Sequence, residues 1–159
     1  MKSFRLLPVL LSCSVAALLA NTATATEPAA SSPAKPHYTF DSCVNKFDAA
    51  KTEKTTVGYQ YWYAGRDLAT GWTVKLSVVG PHLATHQPHV HGDDEYFIII
   101  AGQAELYLFG NWHPIGPNTC VYVPPGVEHG LRNAGDTELQ YIVFQPYAVP
   151  AAAATIAPK

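Results

Sequence analysis

His89-Val90-His91-Gly92-Asp93-Asp94-Glu95 opens the stretch that decides how this chain folds, and Pro124-Pro125-Gly126-Val127-Glu128-His129 closes it. Two imidazoles one residue apart point to the same face of an extended strand. A carboxylate, Glu95, follows four residues after His91, and a third imidazole, His129, arrives directly behind a Pro-x-Gly turn. Three neutral histidine nitrogens and one carboxylate oxygen suit a divalent first-row metal. Asp93 and Asp94 compete for the carboxylate role, but a turn directs them to solvent, so Glu95 is the expected fourth ligand.

Working outward, short apolar runs alternate with Gly and Pro turns. Residues 57–63, crowded with tyrosine and tryptophan, read as a strand. Residues 72–78 alternate, with Trp72, Val74, Leu76 and Val78 on one side, the period of a half-buried strand. Residues 95–100 are strongly apolar, and residues 104–109 follow, with Gly110-Asn111 as the expected hairpin turn. Further strands are expected over residues 120–123, 129–132 and 139–145. Residues 41–51 suggest a short helix capped by Asp41, with Val44 and Phe47 on one face. The 13 prolines and 11 glycines favour a turn-rich all-β chain. Seven or eight short strands fit a sandwich or barrel.

The two halves of the opening stretch resemble the two motifs of the cupin superfamily. The first motif, approximately G-x5-H-x-H-x3-E-x6-G, is met by His89, His91, Glu95 and Gly102. The second, approximately G-x5-P-x-G-x2-H-x3-N, is met by Pro124, Gly126, His129 and Asn133. The leading glycines depart from the pattern: eight residues separate Gly80 from His89, and seven separate Gly116 from Pro124. The resemblance covers about residues 57–145. It implies a double-stranded β-helix, the jelly-roll barrel, with His89, His91, Glu95 and His129 projecting into one end around a single divalent transition metal: iron, manganese, nickel, zinc or copper. One or two open coordination positions are implied for water, substrate or dioxygen.

Around that site, inward-facing Glu95 implies that Phe97 and Ile99 face inward too, with Leu131 and Asn133 beyond His129. Tyr107, Tyr122, Tyr141 and Arg132 are candidate polar members whose faces the alternation leaves open. His86, three residues before His89, is the candidate proton-transfer residue at the barrel mouth; the plainer alternative is an exposed loop histidine. His82 shares that loop, His113 reads as a surface residue, and His37 falls in a linker.

At the N-terminus, Lys2 and Arg5 precede an apolar run over residues 6–20, and Ala23-Thr24-Ala25 supplies small residues for cleavage. That is the three-part pattern of a signal peptide over residues 1–25. Leu10-Leu11-Ser12-Cys13 resembles a lipobox only loosely, because the apolar run continues past Cys13. A linker over residues 26–40, one cupin domain over residues 41–148 and a flexible tail over residues 149–159 complete the expected organisation. The mature product is expected to be secreted or periplasmic, with no membrane partner. In an oxidising compartment Cys43 and Cys120 could pair or remain separate thiols.

With 10 basic and 12 acidic residues, nothing points to nucleic acid. Neither a G-x-S-x-G elbow nor a phosphate-binding P-loop is present. Two functions remain. One is a metal-dependent enzyme, a dioxygenase or a lyase or isomerase, acting on a small oxygenated substrate. The other is a non-catalytic module that binds a sugar, a small acid or a metal. A homodimer is expected through the aromatic strand over residues 57–63.

Overall fold

The computed structural model describes residues 38–68 and 70–149. Its strands are β1 (Glu53–Lys54), β2 (Gly58–Ala64), β3 (Trp72–Val79), β4 (Glu95–Ala101), β5 (Ala104–Leu108), β6 (Asn111–Ile115), β7 (Cys120–Val123), β8 (His129–Asn133) and β9 (Leu139–Pro146). They form a six-stranded sheet, β1-β2-β3-β9-β4-β7, and a three-stranded sheet, β6-β5-β8. Every pairing is antiparallel. Residues 84–89 lengthen the smaller sheet, with bridges Ala84–Arg132 and His89–His129 beside β8. This is the expected all-β jelly-roll barrel.

The main core lies between the sheets. Phe97 and Ile99 of β4, Val121 and Val123 of β7, and Leu139 and Val143 of β9 meet Ala104 and Leu106 of β5 and Leu131 of β8. Burial of these side chains is the main stabilising term, at about 1.5–3 kcal/mol for each large aliphatic or aromatic group. The inward direction of Phe97 and Ile99 matches the reading from Glu95. Strand β5 turns Ala104 and Leu106 inward, which resolves the two faces that its sequence left equivalent.

A second cluster lies outside the barrel. Tyr61, Leu76 and Val78 are buried there, with Tyr59, Tyr63 and Ile142 packed against them. Phe47 covers Tyr61 at 5.1 Å between ring centroids. The Tyr61 hydroxyl donates to Asn45 Oδ1 at 2.6 Å or to the Lys46 carbonyl at 2.8 Å. These contacts explain why no helix spans residues 41–51. Helix α1 (Phe40–Cys43) is capped by Thr39 in a capping box with Ser42, and Val44 is already extended. A separate 3₁₀ turn, Ala49–Lys51, is capped by Asp48. Packing Phe47 and Asn45 onto β2 requires an extended chain, and that overrides local helical propensity. The same segment occupies much of the aromatic face that the sequence offered for self-association. Strand β1 pairs with β2 at Tyr59 and Gln60 and so covers part of its outer edge.

Turn chemistry sets two other departures. The β5–β6 hairpin closes at the Leu108–Asn111 pair, so its loop is Phe109-Gly110, one residue earlier than expected. Both loop residues have positive φ, 52° and 84°, the type I′ requirement that glycine meets without strain. Strand β6, which the sequence reading passed over, carries Pro114 and is an edge, where a missing N–H is tolerated. Cys43 and Cys120 are both free and exposed, so they form no disulfide and stand as separate thiols. The expected signal peptide, most of the linker and nearly all of the tail lie outside the described residues. Within them, no helix is long and apolar enough to cross a membrane.

Candidate metal centre

Each histidine is held by a different local device. His129 begins β8 and is fully buried. Its Nδ1 lies 2.9 Å from the Val127 carbonyl. A carbonyl only accepts, so Nδ1 carries the proton and Nε2 presents its lone pair. His89 is fixed by reciprocal backbone bonds with His129, at 2.9 and 3.0 Å. Gly130 makes this approach feasible, because a Cβ there would stand 3.1 Å from Pro88 Cα. His91 lies in the loop rather than on a strand, and its carbonyl accepts from the Gly126 N–H at 2.8 Å. Gly126 has φ +77°, so the Pro-x-Gly turn pins the His91 loop by adopting a conformation that glycine favours.

The result is a cluster in which one ligand atom from each of His89, His91 and His129 lies within 4.8 Å of the others. Glu95, at the start of β4, is also buried. Its Oε2 lies 3.2 Å from His91 Nε2 and 3.0 Å from His129 Nε2. A carboxylate oxygen and an imidazole lone pair at that spacing need a proton or a cation between them. Among the described residues, the buried side-chain polar atoms without a partner are Nδ1 of His89 and Nδ1 of His91, both in this corner. Burial, followed by crowding from His86, His129 and His91, holds His89 below the usual histidine range. Three imidazoles, a carboxylate and unsatisfied polarity all fit a bound divalent metal.

The rest of the expected set separates. Asp93 is exposed, and Asp94 accepts from the Tyr122 hydroxyl at 2.7 Å, on the face where Tyr122 stacks on Tyr96. Arg132 pairs with Glu105 at 2.6 Å and lies over Trp112, in a group that includes Tyr107 set edge-on to Trp112. His82 is exposed and bonds Asp136 at 2.8 Å. His113 is exposed on β6. Asn133 is buried but structural: its amide donates toward the carbonyls of Val79, Gly80 and Thr137, and its oxygen accepts from the Gly135 N–H. His86 does approach the cluster, with its ring 4.2 Å from His89 and edge-on to it, but it stays exposed.

A cavity of about 280 Å³ reaches this centre, because Glu95 and His86 also line it. Its walls include Gln60 and Trp62 from β2, Thr73, Lys75 and Ser77 from β3, and Tyr141 from β9. Burial pushes the Tyr141 phenol up, while the hydroxyls of Thr85 and Ser77 act in the opposite direction. Tyr141 is the one candidate tyrosine that faces the cavity. The β3 residues were missed by the alternation reading, which placed Leu76 and Val78 on the buried side. Both faces of β3 are in fact buried: the apolar one meets the outer Tyr61 cluster, and the polar one lines the cavity. The available signal was Gln60 and Trp62 on the neighbouring strand, which share that polar face.

The match to known proteins follows the same boundaries. A family model described as "Cupin domain" matches residues 75–145. The barrel resembles the cupins. The chain is 34% identical over 87 residues to a mannose-1-phosphate guanylyltransferase of Salmonella montevideo, and 29% identical over 86 residues to one of Escherichia coli strain K12. Each match takes in 53% of this chain and spans only 18% of the guanylyltransferase. Among solved structures, a Cupin 2 conserved barrel domain protein from Salinispora arenicola superposes with a TM-score of 0.55 at 23% identity, covering 69% of this chain and 90% of that one. The polyketide cyclase RemF from Streptomyces resistomycificus gives a TM-score of 0.57 at 17% identity, covering 67% and 82%. These likenesses show the fold.

Proposed function

We propose that this protein is a mononuclear metal enzyme acting on a small oxygenated substrate, by dioxygenase or by lyase or isomerase chemistry. One observation carries the reading: Glu95 belongs at once to the three-histidine corner and to the wall of a cavity large enough for a small molecule. His89, His91 and His129 would hold the ion, with Glu95 as a fourth ligand. Such an ion supplies a Lewis acid for a chelating enediol, diketone or hydroxy acid, and a redox centre if it is iron, manganese, nickel or copper. The chain's own residues bind and orient. Tyr141 offers a protonated hydroxyl to a substrate oxygen, and the buried β3 wall keeps water from one side of the cavity. His86, exposed beside His89, would exchange a proton between the substrate and solvent.

A second reading, a non-catalytic binding module, is favoured by the exposure of His86, the one imidazole beside the cluster that is not part of it. The deciding experiment is turnover by protein reconstituted in turn with iron, manganese, nickel, zinc and copper. Oxygen uptake and product formation are followed against diketones, catechols and hydroxy acids. Tight metal binding without turnover on any of them would leave the binding module. The leader-like segment over residues 1–25 supports export to the periplasm or beyond as the setting, with small molecules rather than nucleic acid as partners. Self-association into a homodimer would have to use a surface other than the covered face of β2.

A further inference from the structure

Lys75 is the one lysine on the cavity wall, and no carboxylate among the described residues pairs with it. It is half-buried, and among the described residues it makes neither an ion pair nor a side-chain hydrogen bond. Its ammonium rests over the Trp62 ring, 5.2 Å from the centroid. Two carboxylates act on it electrostatically, Glu95 and Glu53, and both are engaged elsewhere. Glu95 faces His91 and His129. Glu53 Oε2 accepts from Gln60 Nε2 at 2.7 Å and from Trp62 Nε1 at 3.1 Å. That pair of bonds fixes the Trp62 ring, and the ring in turn holds the Lys75 stem in the cavity.

A cation taken partly out of water is costly unless something pairs with it. A lysine retained on such a wall is explained when its counter-charge arrives with the ligand. We propose that Lys75 is the anion anchor of this cavity, and that the ligand is a small hydroxylated carboxylate whose carboxylate meets the Lys75 ammonium while its hydroxyl or carbonyl oxygens face the histidine corner. This deepens the proposed function and rests on reading the cavity as the ligand site. Hydroxyls and amides also line the cavity, from Gln60, Ser77, Tyr141 and Gln145. A phosphate dianion fits less well, because no arginine lines the cavity and one ammonium is a single point charge without a bidentate fork. Burial pushes the Lys75 amine below the usual lysine range, with Glu95 and then Glu53 acting in the opposite direction.

The test uses the full chain loaded with Mn(II), titrated calorimetrically with two matched pairs: glycolate beside ethylene glycol, and gluconate beside glucitol. Inorganic phosphate is a fifth probe. Lys75→Met and Lys75→Arg are compared with wild type, and each variant is first shown to melt cooperatively and to hold Mn(II). Wild type should favour at least one acid over its uncharged partner by about tenfold or more. Lys75→Met should remove that preference by weakening the acid alone, and Lys75→Arg should restore part of it. An acid preference unchanged in Lys75→Met would assign the carboxylate to the metal and overturn the inference, leaving the proposed function standing. The anion anchor fails equally if neither acid outbinds its partner, or if phosphate proves the Lys75-dependent ligand. A chain that holds no Mn(II), yet discriminates gluconate from glucitol through Lys75, would sink the metal reading and keep the anion anchor.

Discussion

Glu95 Oε2 lies 3.0 Å from Nε2 of His129, a residue 34 positions away in the chain. That contact joins the two halves of the site, because Glu95 starts β4 and His129 starts β8 of the other sheet.

The joined halves rank the ligands. His89→Ala, His91→Ala and His129→Ala should each lower metal affinity by more than about 100-fold, since even changes to groups that only support a ligand cost 10–100-fold. Glu95→Ala should retain a weakened fraction on the three imidazoles. Asp94 will not replace it, because Tyr122 holds that carboxylate on the outer face, so Asp94→Asn should leave metal content unchanged. Elemental analysis after dialysis, beside a thermal melt, reads all five. Full occupancy in His129→Ala would remove the second motif from the site.

Gly130→Ala tests the packing that seats His89. The new methyl would stand 3.1 Å from Pro88 Cα and 3.3 Å from its nitrogen, tighter than ordinary contact. The loop must yield, and His89 moves with it. We expect about a tenfold or greater loss of metal affinity with a modest fall in melting temperature, because overpacking of this kind costs about 1–3 kcal/mol. Metal binding equal to wild type would show that the His89 loop adjusts freely.

Lys75 sets a stability prediction with a definite sign. In the protein without bound ligand, its amine is held below the usual lysine range by burial, against Glu95 and Glu53, with Trp62, Tyr141 and His86 also lining the cavity. The unfolded chain therefore binds the Lys75 proton more tightly. The cost to folding is fully present below the folded pKa and fades as pH rises through it toward the ordinary value of about 10.4. Lys75→Met should thus raise the melting temperature near neutral pH by a few degrees, which is about 1 kcal/mol or less once solvent screening of the partly exposed amine is allowed for. The gap between variant and wild type should narrow at alkaline pH. A variant less stable than wild type at neutral pH would mean that the ammonium–Trp62 contact outweighs desolvation.

The proposed export predicts a cleaved N-terminus. Protein recovered from the secreted or periplasmic fraction should begin near Thr26, as intact mass or N-terminal sequencing would show. A chain that keeps Met1, or one lipidated at Cys13, would overturn the leader assignment.

Most of the strands, their approximate limits and the group of histidines were legible in the chain alone, because these rest on local physics; the short β1 and the Pro-bearing edge strand β6 were not. Alternation, turn residues and motif spacing are properties of neighbours along the chain. His89, His91 and His129 were legible as a set through their spacing, and Gly126 through its place in the Pro-x-Gly turn. Faces and partners were decided only by the tertiary structure. Alternation divides β3 into Leu76 and Val78 on one side and Thr73, Lys75 and Ser77 on the other, but it cannot say which side is the lumen. The rule that apolar residues point inward fails here, since Phe47 and Tyr61 give the apolar side a second core outside the barrel, and a ligand cavity tolerates polar walls. The helix expected over residues 41–51 gave way for the same reason: Phe47 and Asn45 gain more by packing on β2 than the local backbone gains by coiling. Lys75 became visible as part of a site only when β2, β4 and β9 were brought around it, because a half-buried charge without a counter-ion is a property of the assembled surroundings and not of the residue.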